Sequence, residues 1–238
     1  MTDMTPATRR AAAATVTEAL QTRQSMRAFL PDPVDDAIIA EILQNAARAP
    51  SGTNTQPWHV YVVRGQQREE LSAEILAAFN AGEQPAFEYS YYPETWRDPY
   101  LARRRANGWG LYGALGIEKG QRDKMQAQHG RNYLFFDAPV GLMFTIDRDL
   151  EIGSWLDYGM FLQSVMVAAR GYGLDTCAQQ AFAQYHAIIG RRLSIPADQM
   201  IICGMALGYA DMTAPENHYR TPREPLDVFA TFVQELAP

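Results

Sequence analysis

The segment from Trp155 to Arg170 is apolar on nearly every side of a helix, and this feature constrains the fold more than any other. Ser154, with Asp157 three residues later, fits a capping box and predicts where the helix begins. Gly171 predicts where it ends. A helix that is hydrophobic all round is buried, either in a core or between subunits. The chain is therefore expected to surround this helix with other elements or to pair it with a second copy.

Hydrophobic periodicity predicts further helices and several strands, which favours a mixed α and β protein. The expected helices span residues 11–22, 33–49, 66–79, 100–115 and 118–132, and the expected strands span 58–63, 139–146 and 200–207. Asp32 as N-cap with Pro33 in the first turn fits the start of the second helix. No internal repeat is present, so residues 1–238 are expected to form one domain. Within it, residues 1–21 form an N-terminal helix or arm and residues 211–238 a C-terminal arm.

The composition excludes several classes of partner. A formal net charge of −6 argues against nucleic acid or an anionic membrane as a bulk partner. No stretch approaches ~20 consecutive apolar residues, and residues 1–20 lack the apolar run of a signal peptide. Cys177 and Cys203 are too far apart for a CxxC motif. Reduced thiols in the cytoplasm are the natural interpretation.

Three patterns that often mark functional sites are either missing from the sequence or lack the context that they need. Gly108-Trp-Gly110-Leu-Tyr-Gly113 satisfies GxGxxG, but residues 103–107 before it are no buried strand, which a dinucleotide-binding fold requires. The four histidines show no metal-ligand spacing, so no metal site is expected. A GxSxG nucleophile elbow is missing.

Residues 82–113 form an aromatic-rich insertion. A long loop is expected over residues 80–100, because Pro85, Pro93 and Pro99 are interspersed there among aromatic residues. Long loops in compact domains are often functional lids, so we interpret the insertion as a lid that selects the substrate. A satellite hydrophobic cluster under a long connection is the alternative. The candidate substrate-contacting residues are Tyr92, Trp96, Trp109 and Tyr112.

Two polar segments carry the candidate ligand-binding residues. Arg23-Gln24-Ser25-Met26-Arg27 offers two guanidinium groups and a hydroxyl in an extended stretch, which suits a phosphate dianion. A solvated basic turn is the alternative for this segment taken alone. Residues 50–58 join a helix end to a strand, and Gly52 there permits close approach of the backbone to a flat ligand. Asn54 and Gln56 carry amides that can pair with ring carbonyl and N–H groups.

An ordered set of motifs over roughly residues 22–228 resembles the nitroreductase family. It consists of the RxSxR pattern at residues 23–27, APSGTNTQPW at 49–58, residues 157–174, and the tail segment YRTPREPL at 219–226. The resemblance implies an α+β fold of three layers, with a central, mainly antiparallel sheet flanked by helices. It also implies that two chains intertwine as a homodimer and hold FMN at their interface.

By matching position, the resemblance assigns a group of cofactor-binding residues. Arg23, Gln24, Ser25 and Arg27 would hold the FMN phosphate and ribityl chain from one subunit, and Pro50, Ser51, Gly52 and Asn54 would touch the flavin from the other. Arg223, with Arg220 as a second candidate, would close on the phosphate. Ala178, Gln179 and Gln180 fall where the family backbone passes the flavin ring.

The resemblance implies an enzyme that moves hydride from NAD(P)H to the flavin and then to a nitroaromatic acceptor, by a ping-pong mechanism. A nitro group would pass to nitroso and then to hydroxylamine, and no side chain is assigned as catalytic. A quinone or ene reductase, a reductive dehalogenase and a flavin-binding protein without turnover are the alternatives. Two positions depart from the family pattern: Gln24 stands where a second basic residue is common, and Gln180 where many members carry glutamate.

Overall fold

The computed structural model describes residues 9–233, and these form eight α-helices around one four-stranded sheet. The helices are α1 Val16–Thr22, α2 Asp36–Ala46, α3 Gly65–Asn80, α4 Tyr100–Ala114, α5 Arg122–Gly130, α6 Ile152–Gly171, α7 His186–Leu193 and α8 Leu226–Phe229. The strands are β1 His59–Arg64, β2 Val140–Asp147, β3 Asp175–Gln179 and β4 Gln199–Gly208.

The sheet is antiparallel throughout, in the order β1-β2-β4-β3. The central strands β2 and β4 are buried along most of their length, as expected for strands covered on both faces. β3 is an edge strand, and its outer side is partly covered by the segment after α1, where Ser25 forms a parallel bridge with Thr176. This addition brings the predicted RxSxR segment alongside β3.

Two hydrophobic clusters, one on each face of the sheet, define the three layers. On one face α2 and α6 supply Ile39, Ile42, Phe161 and Val165 against Phe144 of β2. On the other face the cluster joins α3, α7 and the short 3-10 turns at 131–137 and 180–185, with these fully buried members: Leu71, Ile75, Tyr133, Phe135, Phe182 and Ile189. The α+β, three-layer fold expected from the family resemblance is confirmed.

Several expected helix starts are wrong. The second helix begins at Asp36, where the Asp35 carboxylate accepts a hydrogen bond of 2.9 Å from the Ala37 N–H. Asp32 and Pro33 lie before it in extended chain, which lets Val34 bury its side chain in the core. The first helix begins at Val16 rather than at residue 11.

The capping box expected at Ser154 and Asp157 is also wrong. α6 begins two residues earlier, at Ile152, so that both residues lie inside the helix. Asp157 is almost fully buried, and its carboxylate accepts a hydrogen bond from the Gly52 N–H instead of capping its own helix. Asp157, which the sequence suggested as part of a helix cap, therefore makes a tertiary contact instead.

Within residues 9–233, three elements were not predicted from periodicity: the strand β3 and the helices α7 and α8. Residues 81–99 form no helix or strand, as expected for the first part of the aromatic insertion, and α4 provides the second part. Polar contacts anchor the beginning of the insertion: Tyr185 Oη donates to the Glu83 carbonyl, and Glu88 pairs with Arg148. Across residues 9–233, no helix has the length and apolar character that a membrane span requires. Residues 1–8 and 234–238 of the two expected arms lie outside the described part.

Candidate functional site

A polar cavity of about 580 Å³ lies where α1 meets the C-terminal tail. Arg23 and Gln24 enter it from the segment after α1, and Arg220 and Arg223 enter it from the tail. Its other lining residues are Leu20, Gln21, Gln163 and Thr221. Four of the sequence-predicted cofactor residues, from opposite ends of the chain, therefore share one cavity.

The cavity carries uncompensated positive charge. Within residues 9–233, no carboxylate lies within 4.0 Å of the guanidinium groups of Arg23, Arg220 or Arg223. Burial and the nearby Arg223 charge lower the pKa of Arg23. Like charges that face each other without a counter-ion favour binding of an anion. The donors present therefore fit a phosphate dianion.

Ser25 and Arg27 lie beside the edge of β3. The Met26 N–H donates to the Thr176 carbonyl at 3.1 Å, so this carbonyl points outward from the edge of the sheet, away from β4. The backbone N–H and C=O groups of successive residues in a strand point to opposite neighbours. The Ala178 N–H, two residues after Thr176, therefore also points away from β4. Arg27 and the Ser25 hydroxyl oppose the effect of burial, which raises the pKa of the Cys177 thiol. An outward backbone donor, a hydroxyl and a cation thus meet at one edge.

Arg27 also borders a small cavity of about 100 Å³, which Tyr112, Gln128, His129 and Asn132 help to line. Gln128 Nε2 is buried and has no hydrogen-bond partner among the described residues. A buried polar atom without a partner is costly, so this position suits a polar group of a ligand. Tyr112, a predicted substrate residue, therefore shares this cavity with Arg27, a predicted cofactor residue.

The loop before β1 is held in an uncommon conformation. Thr53, Asn54 and Gln56 have positive φ values of 48°, 61° and 49°. The Gly52 N–H donates to Asp157 Oδ2 at 2.9 Å, and the Gln56 N–H donates to Ser51 Oγ at 3.0 Å. Non-glycine residues keep such φ values only where their surroundings impose them. Pro50, Gly52 and Asn54 are exposed and do not line the arginine cavity of their own chain.

The three residues at the end of β3 differ in what they offer. Gln179 is buried and donates its amide to the Asn132 carbonyl at 2.6 Å, and Gln180 donates its amide to the Ile202 carbonyl at 2.6 Å. Both side-chain amide nitrogens are therefore occupied, but Gln179 Oε1 is buried without a hydrogen-bond partner among the described residues. Ala178 is exposed. Gln180 lines an apolar cavity of about 550 Å³ together with Tyr89, Tyr91 and Trp155.

The four predicted substrate residues form two separate pairs. Tyr92 and Trp96 lie with ring centroids 5.4 Å apart, and the Arg104 guanidinium lies over both rings at 5.1 and 5.0 Å. Trp109 and Tyr112, both on α4, lie 5.9 Å apart in an edge-to-face arrangement. Tyr89 and Tyr91, which the sequence analysis did not select, are the aromatic residues of the insertion that line the apolar cavity.

Comparison with known proteins identifies the family. The Nitroreductase family profile matches residues 20–209, which is most of the chain. The protein belongs to the nitroreductase family. It is 40% identical to the nitrobenzene nitroreductase of Ectopseudomonas oleovorans over 92% of this chain and 97% of that relative. It is 42% identical to a 4-nitrobenzoate reductase of Pseudomonas putida, over 89% of this chain and 92% of the relative.

Solved structures of other nitroreductases share the fold. The FMN and NADPH-dependent nitroreductase NfnB of Sphigopyxis sp. strain HMH has a TM-score of 0.87 and 39% identity, over 92% of this chain and 98% of that chain. NfnB of Mycobacterium smegmatis, an FMN-dependent enzyme crystallised with NADPH, also has a TM-score of 0.87, at 30% identity. The match covers 91% of this chain and 96% of that chain.

In this nitroreductase-family protein, Asn217 contacts the RxSxR segment that contributes to the arginine cavity, and sequence reasoning missed it. Its side chain is buried, accepts from the Arg27 N–H at 2.7 Å and donates to the Ala28 carbonyl at 2.8 Å. The Gln24 amide donates to the Asn217 carbonyl. Asn217 therefore fixes the start of the tail to the RxSxR segment. A lone asparagine in a polar stretch gives no sequence signal for this role.

Proposed function

We propose that the protein is an FMN-dependent nitroreductase that passes hydride from NAD(P)H to nitroaromatic acceptors by a ping-pong mechanism. The observation that carries the proposal is the cavity in which Arg23, Arg220 and Arg223 meet without a counter-ion. Similarity to relatives supports a nitroaromatic acceptor, since those described above are a nitrobenzene nitroreductase and a 4-nitrobenzoate reductase. FMN, when bound, supplies the hydride-transfer chemistry.

The residues in and beside the arginine cavity bind different parts of FMN in this proposal. Arg23, Arg220 and Arg223 bind the phosphate, because planar guanidinium groups suit bidentate contact with phosphate oxygens. Ser25 and Gln24 bind the ribityl chain next to it. Arg27 and the outward N–H of Ala178 donate to the polar edge of the flavin ring and stabilise negative charge there. Gln179 and Gln180 position this edge through their backbone, because their side-chain amide nitrogens are bound to carbonyl groups.

The second face of the flavin site comes from a second copy of the chain. Ile152, Leu156 and Met160 follow one another at helical spacing on α6 and are 85%, 72% and 36% exposed. A long apolar stripe of this kind is typical of a covered interface. Leu226, Val228, Phe229, Phe232 and Val233 of the tail are exposed as well, which suits an arm that wraps around a partner. We propose that two copies pack α6 against α6.

The positions of the two half-sites support this homodimer. Asp157 holds the loop with Ser51, Gly52 and Asn54, and Gln163 lines the arginine cavity six residues further along α6. Six residues correspond to a rise of about 9 Å, so both half-sites border the exposed stripe. A two-fold contact along the stripe brings the loop of one copy towards the cavity of the other, as an isologous interface requires.

Sedimentation of a charged variant tests the dimer. Leu156→Arg places a charge in the middle of the stripe and is expected to yield monomers that have lost most of their FMN. Val62→Arg, at an exposed apolar position of β1, is the matched control and is expected to stay dimeric. A monomeric wild-type protein that retains FMN would contradict this part of the proposal.

The enzymatic activity has its own test. Purified protein is expected to oxidise NADPH or NADH rapidly only when an acceptor such as nitrobenzene or 4-nitrobenzoate is present, with the hydroxylamine as a product. Flavin binding without acceptor-dependent oxidation would identify a binding protein instead. We place the reaction in the cytoplasm, because both cysteines are free thiols and suit a reducing compartment.

A further inference from the structure

The tail segment 219–224 contacts α4 of the aromatic insertion at three points. The Tyr219 ring lies directly on Gly110, where a Cβ atom would overlap the ring carbons and the hydroxyl oxygen. The Tyr219 hydroxyl approaches the Ala106 carbonyl at 3.4 Å, and Arg103 Nε donates to the Glu224 carboxylate at 2.8 Å. α4 is thus docked on the tail along successive turns.

The same few residues of the tail also form one wall of the arginine cavity. Arg220 lies next to Tyr219 in sequence and donates to the Gln21 carbonyl. Arg223 donates to the carbonyl groups of Thr221 and Pro222, and it lines both the arginine cavity and the cleft beside Tyr100 of α4. A shift of this short segment therefore moves the phosphate-facing arginines and the α4 contact together.

The glycine pattern at residues 108–113 gains a physical explanation from this contact. Gly108, Gly110 and Gly113 satisfy GxGxxG without the strand that a dinucleotide site needs. Added Cβ atoms at Gly108 and Gly113 would meet no atom within 4 Å, whereas one at Gly110 would collide with Tyr219. Gly110 alone is thus required for close packing, and the other two positions tolerate alanine, the better helix former.

We propose that the Gly110–Tyr219 contact couples the placement of α4 to occupancy of the phosphate cavity. The proposal rests on the FMN site described under the proposed function. Bound phosphate fixes Arg220 and Arg223, and these hold Tyr219 and Glu224 where α4 docks. Conversely, a docked α4 holds the arginines ready for the phosphate. Gly110 and Tyr219 are positioning residues in this account, and the coupling is reciprocal, as thermodynamic linkage demands.

Alanine substitution at the three glycines tests the contact. Gly110→Ala forces the Tyr219 ring away and is expected to weaken FMN binding at least about tenfold, although residue 110 does not face the phosphate cavity. Gly108→Ala and Gly113→Ala make the same chemical change on the same helix and are expected to stay within about twofold of the wild type. The measurement is FMN fluorescence during titration of the flavin-free protein.

Variants at Tyr219 keep the test decisive if Gly110→Ala folds poorly. Tyr219→Phe retains the ring on Gly110 and is expected to bind FMN almost as the wild type does, whereas Tyr219→Ala is expected to weaken binding. Once the ring is removed, Gly110→Ala has nothing to collide with, so the double variant is expected to match Tyr219→Ala alone. Additive effects of the two substitutions would overturn the steric contact as the cause.

Arg103, Arg104 and Arg105 provide a second measurement that does not depend on activity. These exposed residues on α4 are trypsin sites, and FMN is expected to slow cleavage there in the wild type and in Tyr219→Phe but not in Tyr219→Ala. Equal protection in all three proteins would overturn the coupling. Failure of the wild type to bind FMN would instead refute the proposed function, so the two failures are distinguishable.

Discussion

The side chains of Arg23 and Arg223 line the same cavity, although the two residues come from opposite ends of the chain. Burial lowers the pKa of Arg23, and the charge of Arg223 lowers it further. Neither has a carboxylate partner among residues 9–233. Folding that brings two unpaired cations together is unfavourable by itself, and a bound dianion removes the penalty. We therefore expect FMN to stabilise the protein markedly.

Replacement of Arg23 tests this relationship. Arg23→Ala removes one charge-assisted contact and is expected to weaken FMN binding about ten- to a hundredfold, or roughly 1.5–3 kcal/mol. Arg122→Ala removes an exposed arginine of α5 and is the matched control. Equilibrium titration of both flavin-free variants measures the difference. Equal affinities would place the phosphate elsewhere.

The contact between Asp157 and Gly52 is expected to stabilise the loop with positive φ values. Asp157→Ala leaves the Gly52 N–H without its acceptor, which is expected to cost about 1–3 kcal/mol in the free energy of unfolding. Asp157→Asn retains a carbonyl acceptor and is expected to lose less. Urea unfolding of both variants, with the exposed Asp149→Ala as control, measures the effect. The idea fails if Asp157→Ala is as stable as Asp149→Ala.

The sequence allowed the layers of the fold to be predicted where periodicity is strong. α3 and β4 lie within one or two residues of their expected bounds, because their burial follows the apolar pattern. β3 escaped prediction because Asp175, Thr176 and Gln179 are polar and yet buried. Their burial depends on partners far away in sequence, such as Arg10 for Asp175. No local pattern contains that information.

The site residues also divide into those that sequence motifs predicted and those that depend on distant contacts. Motifs predicted Arg23, Gln24, Arg220 and Arg223, and the structure places them in one cavity. Asn217 could not be predicted, since its side chain bonds to the backbone of Arg27 and Ala28, which lie 190 and 189 residues away in the chain. The aromatic insertion was recognised as a unit, but its aromatic side chains separate into groups that only the fold defines.

Within the insertion, we expect residues 91–97 to select the acceptor. Tyr92, Trp96 and Arg104 stack on one another, whereas residues 83–89 are anchored to the core. Replacement of residues 91–97 by a Gly/Ser linker is therefore expected to retain FMN but to change kcat/KM for 4-nitrobenzoate relative to nitrobenzene. Aromatic stacking of about 0.5–1.5 kcal/mol corresponds to a change of roughly two- to tenfold. An unchanged ratio would mean that this segment has no part in selection.

Burial raises the pKa of the Cys203 thiol to about 12 from its ordinary value of 9.0. The folded protein thus keeps this proton at a pH at which the unfolded chain loses it. The contribution to stability is complete below about pH 9 and falls by about 1.4 kcal/mol per pH unit as the pH rises towards 12. Cys203→Ala is expected to lose stability less steeply between pH 9 and 11, as measured by urea unfolding. Parallel pH profiles would contradict the assignment.

Release of the bound cofactor tests the central claim most directly. Freshly purified protein is expected to be yellow, and acid precipitation is expected to release FMN into the supernatant, close to one molecule for each chain. Chromatography of the supernatant identifies the flavin. A colourless protein that FMN cannot reconstitute, or release of FAD instead of FMN, would contradict the account.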